Sequence, residues 1–455
     1  MTLTEQVISR VTALQTEKIP AEVMHAAKRA LLDYCGVVIS GACKNHTKTH
    51  AYISGLCEGG THSVFGTSAQ TDIYSAVLLN GINAHLIELD DGHRFGMMHM
   101  GAPVISAVLT LAEGQKINGE KQLRAIIAGY ETAIALSKVM QPGHKLRGYH
   151  ATGTCCTVGC AMAAAVLLDF TEEQIQGALS AAAAGAAGIL EMNQDASELK
   201  PYNVGRAALD GIAAAMAGRA GFRGPNDAIG GERGFYAVLA DRKDLPRILE
   251  SKLFQKGQYC ISEIYFKPYA ACRHCHPPIE AALHIREQIT EEHSAPPDAG
   301  MIGRITVRTY GLAIHGHDHT AVSGITSAKM STPYAMTAAL LTGEAGVPAY
   351  TESMLHTPEI GQVMQKIRMV TDPELDKLNP QKRAAVVEIQ LKDGTCYENR
   401  VDYPRGEPEN PITDKELEQK MAGLFSEAGR SNASDIIQCV WDYEHQADRL
   451  IELMK

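Results

Sequence analysis

The sequence predicts a mainly α protein, a large all-helical domain interrupted by a smaller α+β segment. Three observations carry this expectation. Up to about residue 260 the chain runs in long, Ala-rich stretches of helical periodicity, with no βαβ alternation. Near residue 265 the period changes, and alternating runs rich in β-branched residues follow. After PRGEPENPIT (404–413), a polar loop punctuated by proline, helical spacing returns. Alanine and glycine are plentiful while aromatics are only 5%. That balance favours closely packed helices with small contact residues.

The elements follow in order. Residues 4–17 and 21–40 have helical periodicity, with Pro20 where a helix starts and Gly41 where one ends. Apolar runs at 73–87, 101–115, 120–139, 154–168, 171–190 and 205–221 read as further helices, separated by short Gly or Pro breaks. MIGRITVRTYGLAI (301–314) alternates as a strand. AAVVEIQLKDGTCYENRVDY (384–403) reads as a hairpin turned at Asp393-Gly394. Between these, 332–344, 351–367 and the dipeptide Pro373-Glu374 suggest helices, and 414–429 and 432–455 close the chain as helices. The expected domains are therefore 1–264 with 400–455, and 265–399. There is no internal repeat.

At 455 residues the chain exceeds one compact core, so two domains are the natural expectation. The net charge is −10 and no long basic run exists, which argues against a nucleic-acid partner. An acidic surface does not exclude an anionic substrate, because a local cluster of Lys, Arg and His reverses the potential within a cleft. Eleven scattered cysteines (35, 43, 57, 155, 156, 160, 260, 272, 275, 396, 439) in a large chain do not look like a disulfide scaffold and point to a reducing cytoplasm. The N-terminus has no apolar signal core. The most apolar run, ALSAAAAGAAGIL (178–190), is too short to span a bilayer, so no membrane association is expected.

Four clusters carry candidate chemistry. ELDDGHRFGMMHMG (88–101) gathers Glu88, Asp90, Asp91, His93, Arg94 and His99; it suits a metal, an anionic substrate or a helix cap. In RGYHATGTCCTVG (147–159), Tyr149 and His150 precede an apolar helix that Thr152 or Thr154 would cap. ELKPYNVGRAA (198–208) places Lys200 before a proline, with a helix starting at Gly205-Arg206. YFKPYAACRHCHPPIEAAL (265–283) holds Lys267, Cys272, Arg273, His274, Cys275 and His276. Each has a bland reading: Lys200 as a solvated loop residue, His150 as a satisfied histidine, Asp90 and Asp91 as caps. What they share is a cation or histidine in a Gly/Pro-rich turn beside a very apolar helix, where sites are commonly placed. Metal readings are weaker. The CxxC of Cys272 and Cys275 has no second pair at the usual distance, and HGHDH (315–319) lacks one residue of a metal-hydrolase pattern.

Together these clusters resemble the MmgE/PrpD family. The resemblance runs along nearly the whole chain, through ALLDYCGVVISG, ELDDGHR…H, GYHATGT, LKPYNVGRAA, FKPYAACRHCHP, STPYAMTAALLTG and PRGEPENP, in that order. It implies a large helical domain made of N- and C-terminal parts, with a smaller α+β lid domain inserted between them. It also implies a homodimer and a metal-free, cofactor-free site between domain and lid. By the same resemblance the active-site positions are Glu88, His99, His150, Lys200, Lys267, Arg273, His274 and His276. There are departures: Gly92 stands where relatives commonly have the Thr of DDT, the loop to His99 is one residue longer, Met100 replaces a usual Pro, and Cys272 stands where the decarboxylase has a lid His.

The family's reactions make or quench a carbanion next to a carboxylate. Such a step needs a positioned base, and His suits neutral pH. It also needs preorganised cations for the developing charge. His150 is expected as acid/base with His99 as its partner. Lys200 and Lys267 are expected to bind carboxylates and stabilise charge, with Arg273 as a bidentate clamp and Glu88 and Asp91 orienting these groups. Lid closure would bring Lys267 in and exclude water. The expected function is dehydration of a hydroxylated di- or tricarboxylate such as 2-methylcitrate. The rivals are two-base epimerisation of a dicarboxylate, as in an iminodisuccinate epimerase, cis-aconitate decarboxylation, and non-catalytic polycarboxylate binding.

Overall fold

Helix starts follow the local chemistry of the chain in a computed structural model, which describes residues 1–56, 59–194 and 197–455. Thr2, Thr171 and Thr413 each accept from a backbone N–H three residues on, and Glu5, Gln174 and Glu416 return the bond. These reciprocal pairs satisfy amide groups that a helix start otherwise leaves orphaned. Asp72 and Asn118 cap the helices Ile73–Leu86 and Gly119–Lys138 in the simpler way. The chain is mainly helical, with a small mixed sheet. It divides into two compact units. One comprises Met1–Met192, Leu199–Tyr265 and Thr413–Lys455, the other Asn193–Glu198 and Phe266–Ile412.

In the first unit the helix Ala151–Leu167 is buried at every residue. Its side chains are mostly Ala, Cys, Gly and Thr, so neighbours approach closely all round it, as expected of a helix apolar on every face. The helices Gly101–Ala112, Gly119–Lys138, Glu172–Gly185 and Leu199–Arg219 pack on it. One crossing matters for the site. A Cβ on Gly81 would lie 2.7 Å from Gly205 Cα, and one on Gly205 would lie 2.3 Å from the Leu78 carbonyl oxygen. Glycine at both positions lets the helices Ile73–Leu86 and Leu199–Arg219 touch along their backbones. The end of the first helix then meets the start of the second. The C-terminal helices Asp414–Glu427 and Ala433–Trp441 pack on Ala21–Lys44. From there Lys420 bonds Asp33 at 2.5 Å and the Leu89 carbonyl at 2.7 Å, tying down the loop that opens after Ile73–Leu86.

Several expected boundaries shift. Gly41 does not end its helix, which runs Ala21–Lys44; a Cβ there would meet the Asn83 carbonyl at 1.8 Å, so close approach explains the glycine. The run 171–190 is helical only over Glu172–Gly185. The third helix of that region starts at Leu199, not Gly205, and takes Lys200 and Pro201 into its first turn, where proline removes no helical hydrogen bond. Neither Thr152 nor Thr154 caps Ala151–Leu167; His150 occupies the cap position with no side-chain bond to the helix start.

The second unit contains a four-stranded sheet in the order Ile367–Thr371, Ile302–Thr309, Ala385–Leu391, Cys396–Val401. The first pair is parallel and the others antiparallel. Asp393-Gly394 turns the hairpin, with Gly394 at φ +96°. Residues 311–314, expected as strand, form a short helix. Ile367–Thr371, whose first residue was read as the end of a helix, is a strand. The helix His276–His293 packs on the sheet and Thr332–Thr342 packs on that helix, around a core that includes Ile285, Ile289, Val307, Met336, Leu340, Val387 and Ile389. Among the described residues no helix is long and apolar enough to cross a membrane. The ten described cysteines are free thiols; Cys57 lies outside the described residues.

Candidate functional site

The loop after Ile73–Leu86 begins with a conformational cost. Glu88 has φ 57°, a left-handed geometry that a residue with a Cβ adopts only against about 1–2 kcal/mol. Backbone strain of this kind clusters at functional sites. The turn directs a buried carboxylate at Lys200, whose Nζ lies 2.6 Å from both Glu88 oxygens. Two histidines and a second carboxylate lie around the pair. His85 Nδ1 is 2.8 Å from Asp90 Oδ2, and its Nε2 is 3.5 Å from Glu88 Oε2. His99 Nδ1 donates to the Asp91 carbonyl at 2.6 Å, while its Nε2 lies 3.9 Å from Glu88 Oε1. The His85 and His99 rings are 5.0 Å apart.

His150 is held in one tautomer. Its Nδ1 is 2.7 Å from Asn203 Oδ1, and the Asn203 amide nitrogen turns the other way, toward the Ala187 carbonyl. Nδ1 therefore carries the proton and Nε2 the lone pair. Burial is the main cause that pushes this imidazole down to about 3. The Asn203 bond opposes the shift, and the nearby Lys200 and His85 add to it. At neutral pH His150 is a neutral base, desolvated, within electrostatic reach of the Lys200 ammonium.

Asp91 has a different task. Its Oδ1 accepts from Gly101 N–H, the first residue of Gly101–Ala112, at 2.9 Å; its Oδ2 accepts from Tyr130 at 2.6 Å. Of the two aspartates read as caps, Asp91 thus bonds this helix start, while Asp90 faces His85. Burial pushes Asp91 up to about 7, against the Tyr130 bond and with help from Asp33. A folded value above the ordinary ~3.9 means that the acid form is favoured by folding. Its contribution to stability is present below about pH 4 and is lost as pH rises through about 7. Asp91→Asn should therefore flatten the fall in unfolding free energy across that window, measured by urea unfolding at about pH 5 and pH 7.5.

Gly92 exchanges backbone bonds with Tyr265, at 3.0 and 2.8 Å, and a Cβ there would sit 2.3 Å from Tyr265 Oη. The tyrosine occupies the space a threonine at this position would need. His93 fastens the same loop by accepting from Gly96 N–H at 2.9 Å and facing Glu263 at 3.3 Å. Tyr149 stacks on His144 at 5.1 Å between ring centres.

In the second unit Arg273 is 3% exposed and holds the 404–407 loop. It donates to Glu407 at 3.1 and 2.9 Å and to His276 Nδ1 at 2.7 Å. His276 Nε2 in turn donates to the Ala271 carbonyl at 3.1 Å. His274 bonds Tyr310 at 2.7 Å, and Lys267 is fully buried. Arg273→Ala would leave the buried Glu407 without its guanidinium. It should lower stability by about 3–5 kcal/mol, read as a fall in the denaturation midpoint.

Of the expected residues, the fold thus brings together Glu88, His99 and Lys200, with His150 in electrostatic reach, and gives Asp91 and Arg273 structural partners. It adds two that the sequence reading missed. His85 is buried three residues before Glu88; Asn203 stands three residues after Lys200, on the same face of the first helical turn. Helical spacing from a candidate residue was the available signal for both. His85, Asp90 and His99 are also close enough to hold one metal ion, their donor atoms lying within 4.8 Å of one another. As they stand, His85 Nδ1 bonds Asp90 and His99 Nδ1 bonds the Asp91 carbonyl, while His85 Nε2 is buried without a hydrogen-bond partner, 3.5 Å from Glu88 Oε2.

The chain is thus mainly helical and carries a buried carboxylate–lysine pair beside an oriented neutral histidine. The chain belongs to the MmgE/PrpD family. The family's N-terminal domain model matches residues 5–248 and its C-terminal domain model residues 269–443. Relatives include cis-aconitate decarboxylase of Homo sapiens, 25% identical over 463 residues, covering 100% of this chain and 91% of the relative. The cis-aconitate decarboxylase-like protein oryM of Aspergillus oryzae is 26% identical over 445 residues, covering 93% and 90%. The Aspergillus terreus cis-aconitate decarboxylase is 23% identical over 471 residues, covering 99% and 94%.

Proposed function

We propose that this protein is a lyase that dehydrates a hydroxylated di- or tricarboxylate, of the 2-methylcitrate type, without a metal or organic cofactor. The observation that carries the reading is His150, buried, neutral and fixed by Asn203 with its Nε2 lone pair available. In the proposed step Nε2 takes the proton next to a substrate carboxylate. The C–H electron pair becomes the new C=C bond as the β-hydroxyl leaves, protonated to water. Lys200 stabilises the enediolate-like charge, and Glu88 holds Lys200 in place. His99, when protonated, is the donor to the leaving hydroxyl, its Nδ1 anchored on the Asp91 carbonyl.

Decarboxylation is the second reading, favoured by the names of the relatives. Cys272, which stands where the decarboxylase has a lid His, weighs against decarboxylation, whereas Gly92 departs from the dehydratase and decarboxylase patterns alike. The test is proton NMR in deuterium oxide with a panel that includes 2-methylcitrate and cis-aconitate. Dehydration gives new alkene signals with loss of water. Decarboxylation gives loss of carbon dioxide, and epimerisation gives α-deuteration alone. Silence across the panel overturns the catalytic reading, and stoichiometric bound metal overturns the metal-free one. The expected homodimer is checked by sedimentation.

A further inference from the structure

HGHDH (315–319) and the CxxC of Cys272 and Cys275 are absorbed by neither the site nor the fold, yet the second unit joins them. Cys272 Sγ lies 3.1 Å from His317 Nε2. His317 Nδ1 donates to the His315 carbonyl at 3.0 Å, so the Nε2 lone pair faces the sulfur. Both residues are fixed through their backbones. Cys272 N–H donates to the Lys329 carbonyl and its own carbonyl accepts from Cys275; His317 N–H donates to Ile314 and its carbonyl accepts from Thr332. Moving the thiol proton to Nε2 leaves every one of these bonds in place and creates an ion pair, S⁻ beside imidazolium. Such a partner is what activates a cysteine as a nucleophile.

The surroundings have mixed charge. His274 stands 5.0 Å from the His317 ring and is bonded to the Tyr310 hydroxyl. Tyr310 in turn senses Arg383, Cys272, Arg273 and Glu407. His315, Asp318 and His319 flank His317 in its own turn, with His319 turned to Ser327. His317 is buried, whereas Cys272 is only half-buried and so open to a small reagent. Other thiols contrast with it. Cys155 and Cys260 are buried and pushed up to about 12, chiefly by burial, and Cys275 sits against Thr332.

We propose that Cys272 and His317 form a thiolate–imidazolium pair that is a covalent modification site for electron-poor alkenes. The sulfur attacks the β-carbon and forms an S–C bond. The alkene electron pair passes to the carbon next to the carbonyl, which takes the proton from His317 Nε2, so nothing leaves and no oxidant is needed.

The test uses N-ethylmaleimide on the full chain, with labelling of each cysteine followed by peptide mass spectrometry. Cys43 and Cys396, both exposed, serve as internal references. At about pH 6.5 an ordinary thiol is roughly 1% ionised. Cys272 should label at least about 10-fold faster than the references there, and the advantage should shrink as pH approaches about 9. His317→Ala should remove the advantage and leave Cys43 and Cys396 unchanged. Labelling of Cys272 that tracks the references at every pH, or that survives His317→Ala, overturns the proposal. Should His317→Ala unfold, exposing Cys35 and Cys155 to the reagent, the thiolate ultraviolet absorbance of the native chain minus that of Cys272→Ser decides. A titration midpoint below about 7.5 supports the pair, and one near about 8.5 overturns it.

Discussion

His150→Ala is expected to lower turnover of the proposed polycarboxylate substrate by about 10²–10⁴-fold while the protein stays folded. The size follows from its place. It is the neutral imidazole whose tautomer is set by Asn203, and a base must be both positioned and unprotonated to act. Because burial holds it down to about 3, the free enzyme should show no acidic limb from this group between about pH 5 and pH 8 in kcat/KM. A limb near the ordinary histidine value of about 6.5 would move the base role to another residue. The same shift bears on stability. Folding depresses the His150 value, so its contribution is present above about 6.5 and is lost as pH falls toward about 3. Retained turnover in His150→Ala, with an unchanged melting curve, would sink the assignment.

Lys200→Met is expected to lower turnover by about 10²–10³-fold and stability by about 3–5 kcal/mol. The two losses have separate causes. Turnover falls because the cation that meets developing charge is gone. Stability falls because Glu88, 6% exposed and in a left-handed turn, keeps a buried carboxylate without its ammonium. Pairing Lys200→Met with Glu88→Gln separates them. The double variant should regain most of the denaturation midpoint and none of the turnover. Recovery of turnover in the double variant would show that the pair only holds the fold.

Much of the helical architecture was legible because its causes are local. Thr2, Thr171 and Thr413 announce helix starts through a partner three residues on, and Asp393-Gly394 announces a hairpin whose second residue needs positive φ. The misreadings share one cause. Gly41 read as a stop because glycine commonly ends helices, yet it serves a contact with Asn83, over forty residues away in the chain. Ile367–Thr371 carries too short a run to reveal a strand; it is one because Ile302–Thr309 offers a parallel edge. The site divides in the same way. Glu88, His99, His150 and Lys200 were legible as candidates, but that Asp91 bonds Tyr130 and a helix-start amide while Asp90 faces His85 depended on partners outside the loop.

By itself, then, the sequence determined the period of each segment, most helix starts, the hairpin turn and the set of candidate site side chains. Those depend on groups within a few residues of one another. Only the tertiary structure decided who meets whom: Glu88 with Lys200 across 112 positions, His150 with Asn203 across 53, Arg273 with Glu407 across 134, and Cys272 with His317 across 45. The physical reason is packing. Helices that touch at Gly81 and Gly205 bring one loop against the start of another helix, and burial there makes each carboxylate, imidazole and ammonium depend on the partner the crossing supplies.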